Sequence, residues 1–131
     1  MDLPGHGFEV KLPNYTFQRF VDHVFAHIKQ TERYNIVVGI SFGSTILAAV
    51  MPLLEVATYP GRVILGDPVF DMDCSPYPHS RRQGMTRDAN PFPREADLIS
   101  LPGWTREDAI LKRWSIARTD PAAVYGLFDV S

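Results

Sequence analysis

At 131 residues, 45% hydrophobic and 21% charged, the chain is long enough for one hydrophobic core and too short for two. Its formal net charge is -2 and no Lys/Arg run occurs, which removes the electrostatic footprint of nucleic-acid binding and of a polybasic membrane contact. Cys74 is the only cysteine, so no internal disulfide can form and a reducing compartment is the simpler expectation. The first seven residues, Met1 to Gly7, have neither the basic nor the apolar segment of a signal peptide. The longest apolar run, residues 46–54, is broken by Pro52 and is too short to span a bilayer. These features point to a cytoplasmic protein.

In chain order, Phe17, Phe20, Val21, Val24, Phe25 and Ile28 recur on one helical face. Their spacing predicts a helix that Asn14 or Thr16 can cap. Residues 35–40 follow, short, β-branched and apolar on both faces, as in a buried parallel strand. From Phe42 to about Val56 the pattern predicts a helix of small and apolar residues, which Pro52 should kink or shorten. Tyr59-Pro60-Gly61 makes a turn, and residues 62–66 form a second strand of the buried kind. Strand, helix and strand in this order make a βαβ unit with parallel strands.

Residues 67–102 are rich in Pro, Ser, Arg and Asp and lack sustained periodicity, which predicts a long irregular excursion. Two helices close the chain. Thr105-Arg106-Glu107-Asp108 resembles a capping box ahead of Ala109, Ile110, Leu111, Trp114 and Ile116. Asp120-Pro121 places a capping side chain and a first-turn proline before residues 122–128.

The chemical signal is Gly39-Ile40-Ser41-Phe42-Gly43, a G-x-S-x-G set between the first strand and its helix. A serine at a sharp strand-to-helix turn takes a strained backbone conformation that lifts its hydroxyl clear of the sheet. Gly39 and Gly43 lack Cβ atoms, which would let strand and helix pass closely on either side of the turn. The helix N-terminus supplies backbone N–H groups and a positive dipole end, and the Phe42 N–H is one expected oxyanion donor. A phosphate-binding turn is the competing reading, but the G-x-x-x-x-G-K-[ST] pattern is absent.

With these residues in place the chain resembles the α/β-hydrolase family. Asp2-Leu3-Pro4-Gly5-His6-Gly7 is similar to the D-x-P-G-x-G loop after the family's fourth strand. The helix over residues 16–29 resembles the one between that strand and the nucleophile strand, and residues 62–67 resemble the sixth strand and its end. The resemblance implies a partial α/β-hydrolase fold, with parallel strands, flanking helices and the beginning of a helical cap. Residues 1–70 would form the partial core and residues 71–131 the start of the cap.

In that family the chain order is Ser, then Asp or Glu, then His. His6, His23 and His27 precede Ser41, and His79 lies in the irregular stretch, so the expected base would come from beyond Ser131. The second oxyanion loop, and the strand beside residues 35–40, would lie before Met1. The resemblance therefore implies a truncated chain, inactive alone.

Asp67, directly after the second strand, is a candidate acid or simply the strand end that Pro68 enforces. His6 reads as loop structure or substrate lining. Asp71, Asp73, Cys74 and His79 do not follow zinc spacing and read as a solvated loop, so no metal or cofactor is expected. Trp104, Trp114 and Phe92 read as cap core, with no basic groove to make them a base-stacking platform. The expected function is hydrolysis of an ester, thioester or amide in a small-molecule substrate, with Ser41 as nucleophile. The alternative is a non-catalytic, hydrolase-like binding protein or a gene-model fragment.

Overall fold

The structure is a computed structural model describing residues 1–31, 33–68 and 93–126, with side chains as far as residue 124. The expectations for Asp71, Asp73, Cys74, His79 and Phe92 lie outside these residues. Contacts gather the chain into two units, residues 15–68 and residues 1–14 with 93–125, each described by itself.

In the first unit, helix α1 spans Phe17–Lys29 and buries Phe20, Val21, Val24 and Ile28, the face that the spacing predicts. Of the two candidate caps, Thr16 serves: its hydroxyl accepts the Arg19 N–H at 3.4 Å. Strand β1, Ile36–Ile40, pairs in parallel with β2, Arg62–Gly66, in the register Ile36↔Arg62 to Ile40↔Gly66. Gly61 permits the close entry of β2, since a Cβ there would lie 2.9 Å from the Asn35 carbonyl oxygen. Helix α2 crosses between the strands as Phe42–Val50 and packs on both of them, with α1 packed on α2.

The α-helical part of that crossover is shorter than the pattern predicts. It ends at Val50 and passes into a 3₁₀ turn, Met51–Leu53, with Pro52 in its first turn. A proline here has no N–H to continue the α-helical ladder, so the chain tightens and leaves.

The strands also depart from expectation. Their composition predicts burial on both faces, yet Ile36, Val38, Ile40 and Ile64 are 50–72% exposed. Alternation along the strand explains the split. Gly39 faces α2, so the even-numbered neighbours point to the opposite side, where no described element of this unit lies.

In the second unit, residues 1–10 form a loop closed by its own hydrogen bonds. The His6 N–H donates to the Leu3 carbonyl, the Gly5 N–H to Val10, and the Phe8 N–H to the Asp2 carboxylate at 2.9 Å. Gly5 and Gly7 have positive φ, and a Cβ on Gly7 would collide with the Asp2 carboxylate. The Asp120 N–H donates to the Gly5 carbonyl and so ties this loop to the last helix.

Within the excursion that looked irregular lies a short helix α3, Glu95–Ile99, one turn too brief to leave a periodic signal. Helix α4, Arg106–Ala117, carries both bonds of the expected capping box. Glu95, half-buried, accepts from Arg106 Nε at 2.8 Å and lies 3.7 Å from Arg113, joining α3 to α4. Helix α5, Pro121–Gly126, starts as expected, with Asp120 accepting the Ala122 N–H at 3.0 Å. Trp114 is not core as expected: it is 47% exposed, edge-on to Phe8, with the Arg118 guanidinium over both rings. Among the described residues no helix is long and apolar enough to cross a membrane.

Candidate active site

The site grows out of the end of β1. At Ser41 the backbone takes φ 51° and ψ -121°, a region that side chains other than glycine rarely adopt. Such a residue costs about 1–3 kcal/mol and persists only where its surroundings over-determine it. Here they do. The Ser41 N–H donates to the Gly66 carbonyl at 2.8 Å, and the Ser41 carbonyl accepts from the Ser44 and Thr45 N–H groups at 2.9 and 3.3 Å. Both sides of the strained residue are thus held by neighbouring backbone.

Serine at a helix N-cap usually spends its hydroxyl on the first turn. Ser41 occupies the N-cap of α2 but makes no side-chain capping bond, and it is exposed. The positive φ swings the side chain off the helix axis, so the hydroxyl stays available. Behind it, the N–H groups of Phe42 and Gly43, ahead of the first bond that Ser44 donates to the Ser41 carbonyl, have no intrahelical acceptor. The helix is nine residues long, enough to present a dipole end to charge developing beside Ser41.

Two features bring β1 and α2 close at this turn. A Cβ on Gly39 would lie 2.7 Å from the Gly43 oxygen and 2.8 Å from the Ser44 Cα, so this position admits only glycine without a shift of backbone. The expected parallel role of Gly43 is not found: a Cβ there would meet nothing within 4 Å. The close approach is one-sided, strand glycine against helix backbone.

Phe42 anchors the turn from the other direction. Its ring lies edge-on to Phe17 at 6.1 Å and to Phe20 at 5.5 Å, with Tyr15 stacked on Phe20. Aromatic edge-to-face pairs of this kind add about 0.5–1.5 kcal/mol beyond area burial. They fix the start of α2, and hence the direction of the Phe42 N–H, against α1.

Asp67 leaves β2 as Ser41 leaves β1. Because Ile40 pairs with Gly66, the two residues follow paired positions at the carboxyl ends of adjacent strands. This is where open α/β sheets bind ligands. Asp67 is exposed and, like Ser41, has a positive φ, 52°. His6 belongs to the other unit, where its Nδ1 lies 3.1 Å from the Pro4 carbonyl oxygen within the loop of residues 1–10. Among the described residues no three His, Cys, Asp or Glu side chains gather as a metal-binding group.

One residue escaped the sequence reading. Ser44 is fully buried and donates its hydroxyl to the Gly66 carbonyl at 2.7 Å. Its signal was present, as a small polar residue beside Thr45 in a helix otherwise made of glycine and apolar residues.

Comparison with known proteins agrees with the fold. A family model described as the alpha/beta hydrolase family matches residues 1–130. No curated protein matches the chain. Among solved structures, the N-formylmaleamic acid deformylase from Pseudomonas putida S16 aligns with a TM-score of 0.75 and 25% identity. That alignment covers 98% of this chain and 52% of the deformylase, so the chain spans about half the length of that protein.

Proposed function

Because the chain belongs to the alpha/beta hydrolase family, we propose that Ser41 is the nucleophile of an esterase-type serine hydrolase acting on the carbonyl of a small-molecule ester, thioester or amide. The observation that carries this reading is the strained, exposed serine at the carboxyl end of a parallel strand, with its hydroxyl uncommitted to the helix it caps. A turn that merely connected strand to helix would have no reason to maintain that strain.

In this reading Ser41 Oγ attacks the carbonyl carbon, forming a C–O bond while its proton passes to a base. The oxygen of the tetrahedral adduct takes the negative charge, and the Phe42 N–H and the dipole end of α2 stabilise it. Collapse breaks the bond to the leaving alcohol, thiol or amine, which collects the proton. Water then repeats the sequence on the acyl-serine and releases the acid. The base is a histidine contributed by sequence beyond residues 1–131, as is the second oxyanion donor. Asp67 is the acid candidate within the chain. Residues 1–70 supply the hydrolase core's share and residues 71–131 the start of its cap. The solved deformylase, by its name, acts on an N-formyl compound, which adds N-formyl amides to the substrates worth assaying.

Fluorophosphonate labelling tests this. The 131-residue chain alone should neither label nor turn over a p-nitrophenyl ester above a Ser41→Ala control. The same chain extended by the coding sequence on either side should do both, and Ser41→Ala should remove at least about a thousandfold of its activity. Labelling that survives Ser41→Ala would defeat the nucleophile assignment. Useful labelling of the 131 residues alone would defeat the assignment of the base to outside sequence. An extended protein that binds but never labels would favour the non-catalytic alternative.

A further inference from the structure

A buried hydroxyl is almost always hydrogen-bonded, and inside a helix the nearest acceptor is a carbonyl of the preceding turn. Ser44, 0% exposed, instead reaches across to the neighbouring strand, its Oγ donating to the Gly66 carbonyl at 2.7 Å. That same oxygen accepts the Ser41 N–H at 2.8 Å. A carbonyl has two lone pairs, and here both are taken by one turn of chain. One donor is the strained residue itself and the other lies three residues later, at the end of the first helical turn.

A single bond from the Ser41 N–H fixes one point of the turn and leaves the following peptide free to rock about it. A second bond to the same acceptor removes that freedom. It locks the first turn of α2, and with it the direction of Ser41 Oγ and of the Phe42 N–H, to the end of β2. We infer that Ser44 is a positioning residue for the Ser41 nucleophile, its hydroxyl sharing the Gly66 carbonyl with the Ser41 N–H and so holding the turn in its reacting orientation. The inference rests on Ser41 being the nucleophile. A solely stabilising role is the competing account, and the geometry argues against it. Removing the hydroxyl leaves Gly66 still bonded through the Ser41 N–H, so no buried acceptor is orphaned and the global cost is small.

Ser44→Ala decides between them through two readouts. In the full chain, hydrogen exchange at the Ser41 amide should rise about five- to tenfold, the change expected from one net hydrogen bond, while amides in the middle of β2 exchange as before. In the flank-extended enzyme, kcat should fall about tenfold with KM unchanged, because misorientation weakens the transition state and spares ground-state binding. A stabilising role would lower the melting temperature and leave kcat per folded molecule intact. Unchanged Ser41 exchange overturns the shared-carbonyl clamp. Faster exchange with unaltered kcat overturns the positioning role. Failure of the nucleophile reading is distinct from both: the unsubstituted enzyme would show no Ser41-dependent turnover, and the exchange measurement would still decide the clamp.

Discussion

The two units of this chain are built to different standards. In residues 15–68, large side chains close on one another: Phe20, Ile46 and Val50 are fully buried between α1 and α2, and the strained serine stands on that packing. Among the described residues of the other unit, 1–14 with 93–125, the buried apolar side chains are the small or short Pro4, Leu98, Ala109 and Ala123, while Phe8, Ile110, Leu111 and Trp114 remain exposed. Among its described residues the second unit is held by other means: a glycine-dependent loop, two helix caps and salt bridges to the half-buried Glu95. Strain at a reactive residue must be supported by surroundings that resist relaxation. The unit bearing Ser41 has such support, and among the described residues of the other unit polar contacts carry a larger share.

The largest effect should come from the core of the first unit. Phe20→Ala removes a fully buried ring that also abuts Phe42 and Tyr15, and should destabilise by about 3–5 kcal/mol. Trp114→Ala, on a ring already half in water, should cost clearly less in the same denaturant titration. Equal losses would erase the contrast between the units.

The next effect separates the two glycines of the motif. Gly39→Ala forces a Cβ against the backbone of α2 and should destabilise by about 1–3 kcal/mol, with loss of Ser41-dependent labelling in the extended enzyme. Gly43→Ala meets open space at a position without positive φ, and should stabilise by about 0.4–1 kcal/mol by restricting the unfolded chain. Thermal melts of the pair should therefore move in opposite directions.

These residues also mark how far the sequence could be read. The βαβ order, the parallel pairing and the serine turn were legible because each rests on local chemistry: β-branched runs, helical spacing, and glycine flanking a strand–helix junction. The bare face of the sheet was not legible. Apolar residues on both sides of β1 say that burial would be favourable, not that a neighbour is present to supply it. Gly43 misled because glycine spacing cannot say which partner approaches which. Ser44 was missed because its acceptor lies 22 residues away, in a register that only the paired strands fix. Helix α3 was lost among prolines and charges, its five residues too few for a period to appear.

A smaller effect falls on the second unit. Helix α4 buries only Ala109, so its N-terminus depends on the box in which Thr105 accepts the Asp108 N–H and donates to the Asp108 carboxylate. Thr105→Ala should cost about 1 kcal/mol and raise exchange in the first turn of α4, leaving α1 and β1 unaffected. Acid should act alike. The hydrogen bonds from the Thr105 hydroxyl and N–H hold the Asp108 carboxyl below its ordinary range. A lowered folded-state pKa contributes stability that is present above the unfolded value and lost as pH falls through the folded one. Exchange at the start of α4 should therefore rise below the ordinary carboxylate range, and more weakly so in Thr105→Ala.

The smallest stability effect carries the sharpest test of the sheet. Val38 and Ile64 are register partners on the uncovered face, 56% and 51% exposed. Threonine keeps the β-branch of both side chains and so keeps their fitness for a strand, while replacing apolar surface by a hydroxyl. On a face open to water that hydroxyl is solvated, and Val38→Thr with Ile64→Thr should change stability by no more than about 0.5 kcal/mol. Solubility should rise, because the pair sits in a flat apolar strip beside a strand edge, the arrangement that templates aggregation. Were the same face covered in solution, each hydroxyl would be buried without a partner, at about 1–3 kcal/mol apiece. A combined loss of that size would show that the strip is an interface and not a surface. The contrast between a packed and a bare side of this sheet would then have to be redrawn around whatever covers it.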